Sequence, residues 1–106
     1  MIFDFLRRRR RSGIRARPFP SHWREYVDRN IPLFARLRTT EQAEVLGHAQ
    51  VLLVEKNFEG CGGLELTDEI RVTIAVQAAR LLLNRDDDYF PTVTSILVYQ
   101  AAVAHV

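Results

Sequence analysis

The stretch "FEGCGGLELTDEIRVTIAVQAARLLL", residues 58–83, sets one cysteine among three glycines and then runs straight into an apolar segment. Three chemistries are conceivable there: a thiol nucleophile, a metal loop, and a glycine nest for phosphate. A catalytic cysteine needs a base and an electropositive setting such as a helix N-terminus. Cys61 stands about six residues before the expected helix start, near Glu59 and Glu65, whose charges oppose thiolate formation. Zinc sites draw two ligands from one short motif, and neither Cys-x-x-Cys nor His-x-x-x-His occurs. The remaining candidates are His22, His48 and His105, widely separated along the chain. His48 falls beside an apolar stripe with nothing four residues away to support a ligand or base role, so a packed or surface histidine is expected. Gly60, Gly62 and Gly63 could cradle an anion ahead of a helix. Their spacing fits no nucleotide-binding fingerprint and no lysine follows, so they read as a tight turn that needs positive φ. Asp86 to Asp88 lack the alternating oxygens, turn glycine and distal glutamate of a calcium loop. No catalytic, metal-binding or cofactor-binding role is therefore assigned to any residue of this chain.

The elements around these residues are legible from capping and periodicity. Ser21 is a candidate N-cap for a short helix whose apolar positions Trp23, Tyr26 and Val27 share a face. Pro32 restricts Ile31 to extended backbone and opens a second turn through Leu33, Phe34 and Leu37. Thr39 and Gln42 have capping-box spacing, predicting an amphipathic helix of four to five turns from about residue 40, with Glu41, Glu44 and Glu55 mostly outside. Gly47 within it allows a close helix contact. Thr67 caps a further helix with Asp68 and Glu69 in its first turn. From Ile70 to Leu83 that segment is apolar on most of its circumference, which predicts the central helix, with Asn84 at the stop. Thr94 to Tyr99 reads as a short buried strand; with a second strand at Leu64 to Leu66 it makes a βαβ unit and predicts parallel pairing. The expected fold is a small, mainly helical α+β domain.

A chain of 106 residues has room for one domain. No apolar run approaches the 18 to 20 residues, roughly, that span a bilayer. The lone cysteine cannot form an internal disulfide and fits a cytoplasmic location. The formal charge of +2 conceals an asymmetry. Residues 1–20 hold seven arginines against Asp4; the rest of the chain holds eight basic and twelve acidic groups. Residues 1–20 are read as a basic flexible tail and 21–106 as the domain. The apolar Phe3, Phe5 and Leu6 precede Arg7 to Arg11, the reverse of a secretory signal. The tail is thus a solvated arm, or a toe for anionic lipid or nucleic acid; nucleic acid is disfavoured because the domain is acidic. Gln100 to Val106 stays apolar to the end, which reads as an interrupted domain.

The succession "RRRRR", "RPFPSHW", "IPLFARL", "LLVEKNFEGCGGLELTDEIRVTIAVQAARLLL", "YFPTVTSILVY" resembles the N-terminal part of the Mlc titration factor A family, zinc-dependent peptidases of the bacterial cytoplasm. The resemblance implies a longer protein in which a catalytic half carries His-Glu-x-x-His and a later glutamate, with zinc as cofactor and peptides as substrate. None of those ligands occurs in this chain. It implies a non-catalytic N-terminal scaffold whose partners are the remainder of the peptidase and the transcriptional repressor Mlc. A protein-binding regulatory module is the alternative. The family has proline and phenylalanine soon after "ILVY"; here "QAAVAHV" follows.

Overall fold

The computed structural model describes residues 2–84, 89–91 and 93–99. Its elements in chain order are α1 (Ile2–Arg15), α2 (Ser21–Asn30), a 3-10 turn (Pro32–Arg36), α3 (Thr39–Glu55), β1 (Asn57–Gly60), α4 (Asp68–Arg80) and β2 (Ser95–Val98). This is the mainly helical α+β domain expected from the sequence.

Packing follows from the spacing of small apolar residues. On α4, Val72, Ala75, Val76 and Ala79 recur at three and four and are all fully buried. They meet Val45, Ala49 and Leu52 of α3, equally buried at the same helical interval. Helix α4 lies between α3 and α2. Val27, Ile31 and Phe34 complete the core from the α2 side. Each such side chain removed from water contributes about 1.5–3 kcal/mol before conformational entropy is counted. The centre is shared: residues 47–52 of α3 form an unbroken buried run, because α1 covers one side of that helix and α4 another. Gly47 is where α1 crosses; a Cβ there would stand 3.3 Å from Cβ of Arg15.

Capping agrees with expectation at one helix and differs at two. Thr67 Oγ1 accepts the amide of Ile70 at 3.2 Å, starting α4 as read. The first residue of α2 is Ser21 itself, with Pro20 in the cap position and no side-chain cap. For α3 the cap residue is Arg38, whose backbone amide donates to Glu41 Oε1 at 3.0 Å. Thr39 and Gln42 are thus inside the helix, and Gln42 donates instead to the carbonyls of Phe34 and Leu37. Regular α4 ends at Arg80, and Asn84 takes a positive φ of 64°, a conformation asparagine tolerates better than most residues.

The strands correct the sequence reading at one end. β2 falls where predicted and pairs in parallel, but its partner is Asn57–Gly60, from Asn57 opposite Ser95 to Gly60 opposite Val98. Leu64 to Leu66 is not a strand. The glycine turn follows β1 rather than preceding the first strand. β2 is also not buried throughout. Side chains alternate across a sheet, so Ile96 and Val98 face inward beside Phe58 while Leu97 stays 52% exposed. The acidic run Asp86 to Asp88, His105 and the apolar end from Gln100 lie outside the described residues.

The arginine-rich segment differs as well. It is helical from Ile2 to Arg15, with residues 2–10 exposed and Ile14 buried in the core. Arginine is a good helix former, and the C-terminal end of this helix finds partners on α3.

Candidate functional site

The densest polar cluster sits where α1, α3 and the segment before β2 converge, and its hub is a residue the sequence reading did not single out. Tyr89 is 1% exposed. Its ring lies under the Arg11 guanidinium at 4.7 Å, and its hydroxyl oxygen accepts from Arg15 Nη1 at 2.9 Å. The same hydroxyl meets Nδ1 of His48. Because Arg15 can only donate, the hydroxyl is free to pass its own proton toward His48, making Nδ1 the acceptor. The neutral imidazole then carries its hydrogen on Nε2, which faces Glu44 Oε2 at 3.3 Å. The same Glu44 oxygen accepts the backbone amide of Asn84 at 2.8 Å, fixing the end of α4.

Position 48 therefore resolves into a packed histidine, as expected, but with a partner four residues earlier in Glu44 that the sequence reading does not include. Glu44 and His48 stand one turn apart on α3, a spacing that brings side chains together. Next to them Arg11 grips Glu55 with two 2.8 Å hydrogen bonds. That grip holds the Glu55 carboxyl below its ordinary range. Lys56 Nζ donates to the carbonyls of Phe90 and Val93 at 2.9 and 2.6 Å, tying down the approach to β2; burial draws its pKa downward.

Chemically this cluster orients and holds. It contains an imidazole, a phenol and two carboxylates, but each is engaged by a neighbour from another turn or another element. The other residues considered from sequence stand apart. His22 lies edge-on to Trp23 and Tyr26. Cys61 is half-buried beside Tyr99, whose phenol is pushed up in pKa by its hydrogen bond to the thiol. Gly62 and Gly63 have φ of 65° and 83°, the tight turn anticipated for them. The Cys61 amide is spent on the Val98 carbonyl at 2.8 Å, and Thr67 Oγ1 takes the Ile70 amide at the start of α4, which leaves neither amide for an anion. Among the described residues no three histidine, cysteine or acidic side chains converge as metal ligands do. The donor set described does not fit a zinc ion.

With the geometry in place, comparison with known proteins gives a definite relationship. The family described as glucose-regulated metallo-peptidase M90 matches residues 5–105. The chain belongs to this family. M90 membership accounts for the near-continuous likeness from the arginine run to β2. The chain is also 36% identical over 86 residues to slr2042 of Synechocystis sp. (strain ATCC 27184 / PCC 6803 / Kazusa), itself described as uncharacterized. That similarity covers 81% of this chain but 31% of the relative, so the chain spans about a third of that relative's length. No solved structure matches. No helix among the described residues is long and apolar enough to cross a membrane.

Proposed function

We propose that this chain is the non-catalytic N-terminal portion of a zinc-dependent M90 peptidase, a scaffold on which the catalytic portion is seated. The observation that carries this reading is the half-finished sheet. β1 and β2 make a two-stranded ladder, and Leu97 within it and Tyr99 just past it are 52% and 60% exposed. Two strands are marginal by themselves, and an exposed apolar strand is a surface proteins ordinarily cover. Further chain of the length found in the Synechocystis relative is the natural cover. In that arrangement the Tyr89 cluster holds the approach to β2 in place, and so sets the position of whatever docks on the sheet.

Zinc, a peptide substrate, a cytoplasmic setting and regulation through the repressor Mlc belong to the same proposal and come from the family resemblance. On this reading the metal and its activated water reside in the catalytic portion, and the 106 residues contribute no ligand. The test is zinc calorimetry and an aminopeptidase assay on the 106-residue chain, alone and mixed with the remaining two thirds, roughly, of the Synechocystis relative. The chain alone is expected to bind no stoichiometric zinc and cleave nothing. Tight zinc binding or peptidase activity in the isolated chain refutes the proposal.

A further inference from the structure

We infer that the first two and a half turns, roughly, of α1 form a docking element for anionic membrane surfaces. Arg11 pairs with Glu55, the last residue of α3, while Arg15 lies against Gly47 two turns earlier. The helices are therefore antiparallel, and residues 2–10 run past the end of α3. At 1.5 Å per residue this overhang is about 13 Å long. Every residue in it is exposed.

Two features of the overhang point to lipid. Ile2, Phe3, Phe5 and Leu6 are between 50% and 77% exposed, which is costly for four large apolar side chains on one tip. Their span along the axis is about 6 Å, so end-on entry would immerse this toe to a depth comparable with the roughly 5–10 Å to which amphipathic helices sink their apolar side chains. Directly behind them stand Arg7, Arg8, Arg9 and Arg10, all exposed, of which Arg10 is near enough to Glu55 to help lower its carboxyl pKa. With the toe immersed, these guanidiniums lie level with the headgroups, where each basic residue contributes about 1 kcal/mol to association with an anionic leaflet.

Helical geometry orients the element. At about 100° per residue, Ile2, Phe5, Leu6 and Arg9 fall in one arc and Arg11, Ile14 and Arg15, which grip the body, in the opposite one; Phe3 falls on the Ile14 side and is exposed because residues 2–10 overhang the body. The end that would meet the bilayer is the one the body leaves open on all sides. Beyond residue 20 acidic groups outnumber basic ones twelve to eight, so an anionic surface repels the body and attracts the tip. Duplex nucleic acid would satisfy the arginines but has no use for the phenylalanines, which is why lipid is favoured.

The experiment is sedimentation of the 106-residue protein with phosphatidylcholine vesicles, with and without about 30% phosphatidylserine, at about 0.1 M salt. Binding is expected to the anionic vesicles alone and to be lost at about 0.5 M salt. Phe3→Ser with Phe5→Ser should weaken it at least tenfold, and Arg8→Gln with Arg9→Gln about thirtyfold. These residues lie outside the core, so circular dichroism should show both variants folded. A Phe5→Trp probe should shift its emission to the blue on anionic vesicles. Failure to bind anionic vesicles, binding indifferent to the Phe pair, or tighter binding to a DNA duplex than to vesicles would each overturn the inference.

Discussion

Replacing Tyr89 by phenylalanine removes one oxygen from the interior while leaving the ring, its burial and its contact with Arg11 in place. The hydroxyl joins two partners of unequal vulnerability. Arg15 is an exposed residue and can turn its guanidinium to water, whereas His48 is 7% exposed and its Nδ1 would lose the hydroxyl without gaining solvent. A buried polar atom stripped of its partner costs about 1–3 kcal/mol, and the exposed guanidinium adds little. The expected destabilisation is therefore about 2 kcal/mol, or roughly a 10 °C fall in Tm for a domain this size. Urea denaturation followed by circular dichroism measures it directly. The same substitution in a His48→Leu background should cost about 1 kcal/mol less, since the pair acts as a unit. A Tyr89→Phe protein within about 0.5 kcal/mol of the parent would refute the network, and so would an equal loss in both backgrounds.

Gly60→Ala should be the most damaging small change, because the new Cβ would fall on the carbonyl oxygen of Leu64; a loss of at least about 3 kcal/mol is expected in the same urea assay. Thr67→Ala removes the hydroxyl that starts α4 and should cost about 1 kcal/mol, measurable as a lowered thermal midpoint. Glu55→Gln breaks the two-bond grip of Arg11 on a pair whose side chains are each 18% exposed, and should cost about 1 kcal/mol at neutral pH. Because the folded carboxyl titrates below its ordinary value of 4.5, the pair's contribution is full above that value and disappears as pH falls through the lower folded one. The stability gap between parent and Glu55→Gln should therefore close in acid, as paired melts across the pH range would reveal.

Local signals were mostly good guides where a single segment decides its own structure, although the caps of α2 and α3 fall one residue before Ser21 and Thr39. The Thr67 cap, the turn at Pro32, the apolar spacing of α3 and α4 and the positive-φ glycines all belong to that class. The larger differences involve partners distant in sequence. "NFEG" has little strand character; it becomes β1 because Asn57 and Cys61 donate to the carbonyls of Thr94 and Val98. The more apolar "LEL" is passed over because Gly62 and Gly63 turn the chain away first. α1 reads as solvated charge until Arg15 is matched with Tyr89, 74 positions later. Tyr89 itself carries no motif, and only its tertiary position makes it a hub. Glu44 beside His48 is different, since its one-turn separation was visible in the sequence and was overlooked.

The parallel ladder also constrains how the protein emerges during synthesis. β1 is complete at Gly60, yet every hydrogen bond it makes to β2 waits for residues 94–98, with the whole of α4 made in between. While the ribosome extends that stretch, α3 and α4 can already pack through Val45, Ala49, Val72 and Val76, but β1 is an unmatched edge and Lys56 lacks the carbonyls of Phe90 and Val93. A nascent chain arrested just after α4 would hold a helical core with one raw border, a natural target for chaperones. Translation of β2 supplies the missing partner.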